Sequence, residues 1–118
     1  MFLITALAIA ACPPPPAERV TCVVDGDTVW IAREKIRIAD IDAPEMKGKC
    51  PAESARARQA RDRLVALLRE GGVTIARQGQ DRYGRTLAHL ANHQGGIGAQ
   101  LVSEGLARRW GDRRGWCR

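Results

Sequence analysis

Three β-prone stretches in close succession, separated only by tight turns, limit what the N-terminal half of this chain can become. Val20 to Val24 is β-branched apart from Cys22. Two heavy atoms on Cβ crowd a helix and suit a pleated strand. Asp25-Gly26 follows, a dipeptide fitted to a hairpin turn. Thr28 to Ala32 supplies the returning strand, and Arg33-Glu34 a second tight turn. Lys35 to Ile41 then alternates: Ile36, Ile38 and Ile41 are apolar, while Lys35, Arg37 and Asp40 are polar. The alternation slips between Ala39 and Ile41, where a bulge is expected. Arg37 is expected to project from the face opposite Ile36 and Ile38.

Ala43-Pro44 ends this meander, and Met46 to Pro51 reads as a basic, mobile loop. A helix is expected from about Glu53 to Glu70, with Ala57, Ala60, Leu64, Leu67 and Leu68 on one face. Glu53 suits the dipole at its start, and Gly71-Gly72 ends it. Arg56, Arg58, Arg61, Arg63 and Arg69 read as a solvated face. Val73 to Arg77 is a fourth strand, Gln78 to Gly84 a polar loop and Arg85 to Ala91 a fifth strand. Ile97 to Glu104 is a short helix, Leu106 to Trp110 is extended, and Gly111 to Arg118 is a basic tail. The fold class is therefore α+β, mainly β. The expected architecture is a five-stranded OB-type barrel with a helix between strands 3 and 4 and a short C-terminal helix.

With 118 residues there is room for one domain. A formal charge of +6 and a pI near 9.8 point to an acidic partner, nucleic acid or an anionic surface. The first eleven residues carry no charged side chain and are too few to span a bilayer. They suit the apolar part of a signal peptide. Cys12 follows Ile9-Ala10-Ala11, which resembles the lipobox of bacterial lipoproteins. That resemblance implies a lipidated Cys12 and membrane attachment. The division that follows is a signal segment over 1–11, a stiff, extended Pro-rich linker over 12–19 and a domain over 20–118. The expected location is outside the cytoplasm: periplasm, outer membrane as a lipoprotein, or secreted. Cys22, Cys50 and Cys117 match no zinc spacing. In an exported chain one pair forms a disulfide and one thiol remains, with all three pairings open.

Six of the 13 acids fall between Val24 and Glu45: Asp25, Asp27, Glu34, Asp40, Asp42 and Glu45. Carboxylates concentrated in a basic chain can hold a hard cation. Hydrolysis of a phosphodiester needs such a cation, a group to handle water, cations on the phosphorane oxygens and a grip on the strand. Asp27 and Asp42 lie at strand ends, where carboxylates can enter a cleft, and Glu45 can reach the same point. Arg37 offers a planar fork for two phosphate oxygens. Arg85, with Tyr83 beside it, supplies a second. Asp25 reads as a hairpin residue and Asp40 as structural. His89 and His93, on a strand and a turn, do not form a metal pair.

Four blocks now stand in order: V-D-G-D-T-V, then I-R-I with D-A-P-E, then D-R-Y-G-R-T-L-A, then L-V-S-E-G-L-A. Together they resemble the staphylococcal nuclease (thermonuclease) family from about Val20 to Trp110. The resemblance implies calcium bound by Asp27, Asp42 and the backbone carbonyl of Ala43. It implies Glu45 as general base toward water, and Arg37 and Arg85 on the phosphate. Arg82 and Tyr83 would contact the nucleotide. The substrates implied are DNA and RNA, cleaved to 3′-phosphate ends by a monomer with no protein partner. Family tyrosines after G-L-A are replaced here by Arg108, Arg109 and Trp110, so Trp110 is the remaining stacking residue on that wall. Two other readings stand beside this one: a catalytically inactive nucleic-acid-binding OB module, and a cell-envelope domain making protein contacts.

Overall fold

The computed structural model describes residues 9–117. The greater part of the expected signal segment, residues 1–8, lies outside them. The predicted hairpins form as β1 (Cys22–Asp25), β2 (Thr28–Ile31) and β3 (Glu34–Ile38). After a break come β4 (Ile41–Asp42), α1 (Pro51–Arg69), β5 (Thr74–Gln80) and β6 (Thr86–Asn92). The short β7 (Gly95–Gly96), α2 (Ile97–Ser103) and β8 (Arg108–Arg109) complete the order.

The main sheet runs β1-β2-β3-β6-β5, with β7 added to β6, while β4 and β8 form a separate pair. Among these strands every pairing is antiparallel except β3 with β6: β5 runs opposite to β3, and the β5–β6 hairpin turns the chain back to the direction of β3. This is the OB-like strand order, but β1 and β5 do not pair with each other, so the barrel is not closed. Val23, Val29, Ile36, Ile38, Leu64, Leu67, Ile97 and Leu101 are almost fully buried between sheet and helices. Each such side chain stabilises the fold by about 1.5–3 kcal/mol.

Local details differ from the sequence reading for physical reasons. The bulge expected at Ala39–Ile41 is a full break: Asp40 takes a left-handed φ of 66° and separates β3 from β4. α1 starts at Pro51, whose missing N–H costs nothing at a helix start. Its arginines do more than face water. Arg63 forms a two-pronged pair with Glu104, Arg56 donates to the Gly105 carbonyl and Arg69 to that of Ile9.

The N-terminal segment departs most. Ile9 is 6% exposed and belongs to the core. The Val23 N–H donates to Ala10 and the Cys12 N–H to Val23, so this strip pairs in parallel beside β1. Cys12 is bonded to Cys22, and Cys50 to Cys117; no cysteine is free among the described residues. The expected single disulfide among Cys22, Cys50 and Cys117, with one thiol left over, is thus corrected: Cys12, carried beside β1 by this strip, takes Cys22 and leaves Cys50 to Cys117. Pro13 to Arg19 is a turn across the base of the first bridge, with Arg19 donating to the Pro13 carbonyl, and not an extended spacer. A sulfur in a disulfide cannot also carry a thioether lipid, so the two fates of Cys12 exclude each other.

Loop length ranks the bridges. The chain-entropy model assigns about 4 kcal/mol to the 67-residue separation and about 3 kcal/mol to the 10-residue one. Urea unfolding of a Cys50→Ser/Cys117→Ser double variant should show the larger loss, and Cys12→Ser/Cys22→Ser the smaller.

Candidate active site

Strand register decides which side chains meet. Arg37 on β3 lies opposite Leu87 on β6. Side chains in a strand alternate, so Arg85, two residues before Leu87, shares the face of Arg37. A one-residue slip would turn Arg85 to the far side. Both arginines, with Leu87 between them, line one cleft of about 830 Å³. Asp25, Asp27, Asp42, Ala43, Glu45 and Trp110 line it too, as do Arg82 and Tyr83. Thus every residue singled out for metal, catalysis or substrate borders this one cavity.

The acidic wall is built by close approach. Gly26, in the β1–β2 turn, has no room for a side chain: a Cβ there would stand 2.8 Å from those of Ala43 and Ala60. That contact brings the turn against α1 and the Ala43 segment. Asp27 Oδ2 accepts from the Ala43 N–H at 2.9 Å, and Oδ1 from the Thr28 hydroxyl. Arg37 is buried at 9% exposure. It donates to the carbonyls of Ile38 (2.6 Å) and Ile41 (2.8 Å) and to Asp42 Oδ1 (2.8 Å), and stands 3.5 Å from Asp27 Oδ2. Its direction is fixed by the backbone, not by chance packing.

Asp25 makes the turn contact expected of it, its Oδ1 accepting from the Asp27 N–H at 3.1 Å, and it also faces the cleft beside Asp27. Burial first, then the Asp27 charge, pushes its carboxyl up from 3.8 to about 7. Burial also raises Asp42, against the lowering influence of Arg37. Both shifts come first from burial, with the neighbouring Asp27 carboxylate adding to each. Among the described residues no three His, Cys, Asp or Glu side chains form a preassembled metal cage. Oxygen donors from Asp25, Asp27 and Asp42, strained by their own repulsion, still suit a hard divalent ion.

Two further acids were missed. Asp81 Oδ1 accepts from the N–H groups of Tyr83 and Arg85, and its Oδ2 takes the Arg85 Nε at 2.6 Å. Desolvation would raise this carboxyl, but the bonds from Arg85 and Tyr83 win and hold it low. Asp81 thereby fixes the rotamer of Arg85. Its signal in the sequence was an acid four positions before an arginine in a glycine turn. Glu53 is 6% exposed at the start of α1. Its carboxylate accepts from the N–H of Glu45 and of Lys49, both at 3.0 Å, which keeps it well ionised. The Gly48 N–H donates to Ser54 Oγ. The loop expected to be mobile is therefore folded around a buried carboxylate, and Glu45 is positioned by it. Nothing in a helix-dipole reading of Glu53 discloses this.

The exposed aromatics stand at the rim. Tyr83 is 68% exposed, its hydroxyl accepting from Arg82 and its ring 5.4 Å from the Arg85 guanidinium. Trp110 is 69% exposed. The β4–β8 pairing and its N–H bond to the Asp40 carbonyl carry it to within 5.8 Å of the Arg37 guanidinium. His89 pairs with Asp40 at 3.2 Å, and the His93 ring stands beside Gly72 after α1.

Asp25 holds a proton more tightly when folded, so in chelator it adds stability below its unfolded value of 3.8. That stability drains away as pH rises through about 7. Melting temperature in chelator should fall between mildly acidic and mildly alkaline buffer; Asp25→Asn should flatten the fall, and calcium should offset it. Glu53→Gln leaves one buried amide facing an NH₂ group and should cost about 1–3 kcal/mol in urea unfolding. It should also lower activity by loosening Glu45.

Residues 35–114 match the family model described as staphylococcal nuclease homologue. The chain is 34% identical over 94 residues to an uncharacterized endonuclease of Haemophilus influenzae, covering 75% of this chain and 49% of that protein. It is 37% identical over 101 residues to a micrococcal nuclease of Shigella flexneri, covering 75% and 55%. A thermonuclease of Staphylococcus hyicus is 32% identical over 97 residues, covering 76% and 57%. The chain thus spans about half the length of these curated relatives. The family-model match takes in all but the first residue of β3, every later strand, both helices and the arginine pair, and on that ground the chain belongs to the staphylococcal nuclease homologue family.

Proposed function

We propose that this protein is a calcium-dependent nuclease that hydrolyses phosphodiester bonds of DNA and RNA. The observation that carries the reading is the convergence of Arg37, Arg85, Glu45 and the Asp25–Asp27–Asp42 carboxylates on one cleft. The relatives' names, endonuclease, micrococcal nuclease and thermonuclease, support the same class of reaction.

Asp27, Asp42 and the Ala43 carbonyl would hold the calcium ion, with Asp25 beside them. When bound, the ion lends Lewis-acid stabilisation to the phosphate and offsets the crowded carboxylates. Arg37 and Arg85 grip the non-bridging oxygens from neighbouring strands and stabilise the extra charge of the five-coordinate state. Backbone carbonyls and Asp42 hold Arg37, while Asp81 holds Arg85, so little reorganisation is needed as charge develops. Glu45, held by Glu53, takes a proton from water as its oxygen bonds to phosphorus. The bond from phosphorus to the 5′ oxygen breaks, solvent protonates that oxygen, and a 3′-phosphate remains. Arg82, Tyr83 and Trp110 bind the nucleotide at the rim.

Export is part of the proposal. Two disulfides suit an oxidising compartment. The protein would act in the periplasm or beyond it as a monomer. Lipid at Cys12 would require the Cys12–Cys22 bridge to be absent; intact mass of membrane-extracted protein distinguishes the two.

Plasmid and RNA digestion tests the mechanism. Chelator should abolish cleavage and calcium restore it. Glu45→Gln should lower kcat by about 10²–10⁴, as loss of a general base does. Arg37→Lys should lose about 10²–10³, because a point charge replaces a fork. Cleavage indifferent to chelator and to Glu45→Gln would sink the mechanism. Binding without cleavage in calcium would favour an inactive nucleic-acid-binding module.

A further inference from the structure

The cleft continues past Glu45. A second groove of about 440 Å³ shares Asp42, Ala43 and Glu45 with it. Its walls come from segments far apart in the sequence. One is the Lys47–Lys49 loop, the other the tail from Asp112 to Cys117. The tail carries no helix or strand, and the Cys50–Cys117 bridge ties it to the start of α1. Arg108 reaches under it, donating to the Gly115 carbonyl at 3.0 Å, with its guanidinium 4.1 Å from the centre of the Trp116 ring.

The charges are divided unevenly between committed and free. Asp42 is engaged by Arg37, Glu53 by two amides, and Asp112 by Arg114 at 2.6 Å. Lys47, Lys49 and Arg113 are exposed, and among the described residues none forms an ion pair. Three uncommitted cations and an indole therefore border a groove that opens directly from the carboxylate end of the cleft. A basic groove that tracks phosphates, with an aromatic face for a base, is the construction used for single strands.

We propose that this groove binds the next stretch of a single nucleic-acid strand, beyond the phosphate to be cut. Lys47, Lys49 and Arg113 hold its phosphates, and the free face of Trp116 takes a base. The Cys50–Cys117 bridge keeps the two walls at a fixed separation. The assignment rests on the nuclease reading of the cleft and gives that site a preference for longer substrates.

The test is a Lys47→Ala/Lys49→Ala/Arg113→Ala variant with two substrates, a dithymidine diester and an oligothymidylate of about twelve nucleotides. On the oligomer, kcat/KM should fall by about tenfold or more, since each lost phosphate contact weakens binding. On the dithymidine it should be unchanged. Binding of the labelled oligomer in chelator should show a log–log salt slope shallower by about 2, from about 0.7 per lost contact. Lys47→Arg/Lys49→Arg/Arg113→Lys should restore both. An equal loss on both substrates, or an unchanged oligomer and salt slope, would overturn the groove. If the unaltered protein cleaves neither substrate, the nuclease reading fails instead, and the salt slope still decides the groove.

Discussion

A buried guanidinium organises this molecule. Arg37 has left water almost entirely, and an arginine cannot shed its charge to compensate. It needs acceptors on every side, and the fold supplies two carbonyls and two carboxylates. Those carbonyls belong to residues on either side of Asp40, so the break in the strand and the orientation of the arginine are one feature. The carboxylates belong to the first hairpin and to β4. Removing the cation would leave Asp27 and Asp42 facing each other with Asp25 behind them. Removing the acids would leave an unpaired buried charge, the costlier error. Local structure, packing and the proposed phosphate contact thus depend on the same few hydrogen bonds.

One positive charge does not balance three carboxyls. Burial, and after it the Asp27 charge, raises Asp25 to about 7 and raises Asp42 as well. A site that repels itself when empty is a common state for cation binding, because the repulsion is relieved on occupancy. The basic remainder of the chain works at longer range. It would draw the proposed polyanion toward a cleft whose inner wall is acidic, with salt screening that pull.

Much of this was legible in the sequence. β-branched runs and alternation gave the strands, and apolar spacing gave α1. The four blocks located Asp27, Arg37, Asp42, Glu45 and Arg85, all of which border one cleft. What stayed hidden was long-range. Glu53 looked like a dipole partner because its amide partners are supplied by a loop folded back on it. Asp25 is the turn residue that its D-G step indicates, but the step says nothing about the cleft that Asp25 also faces. The Cys12–Cys22 bridge is invisible in the sequence because only the folded sheet brings the two residues together. In each case the local pattern was read correctly for its neighbours in sequence and told nothing about neighbours in space.

The parallel contact between β3 and β6 carries a further meaning. A hairpin joins residues already close in sequence, whereas this pairing joins Ile36 to Thr86 across β4, α1 and β5 and carries a larger loop-closure cost. Without it the two arginines belong to separate pieces of chain. An unfolded chain therefore holds Arg37 and Arg85 without setting them on one face, and a single long-range strand pairing is what brings them together.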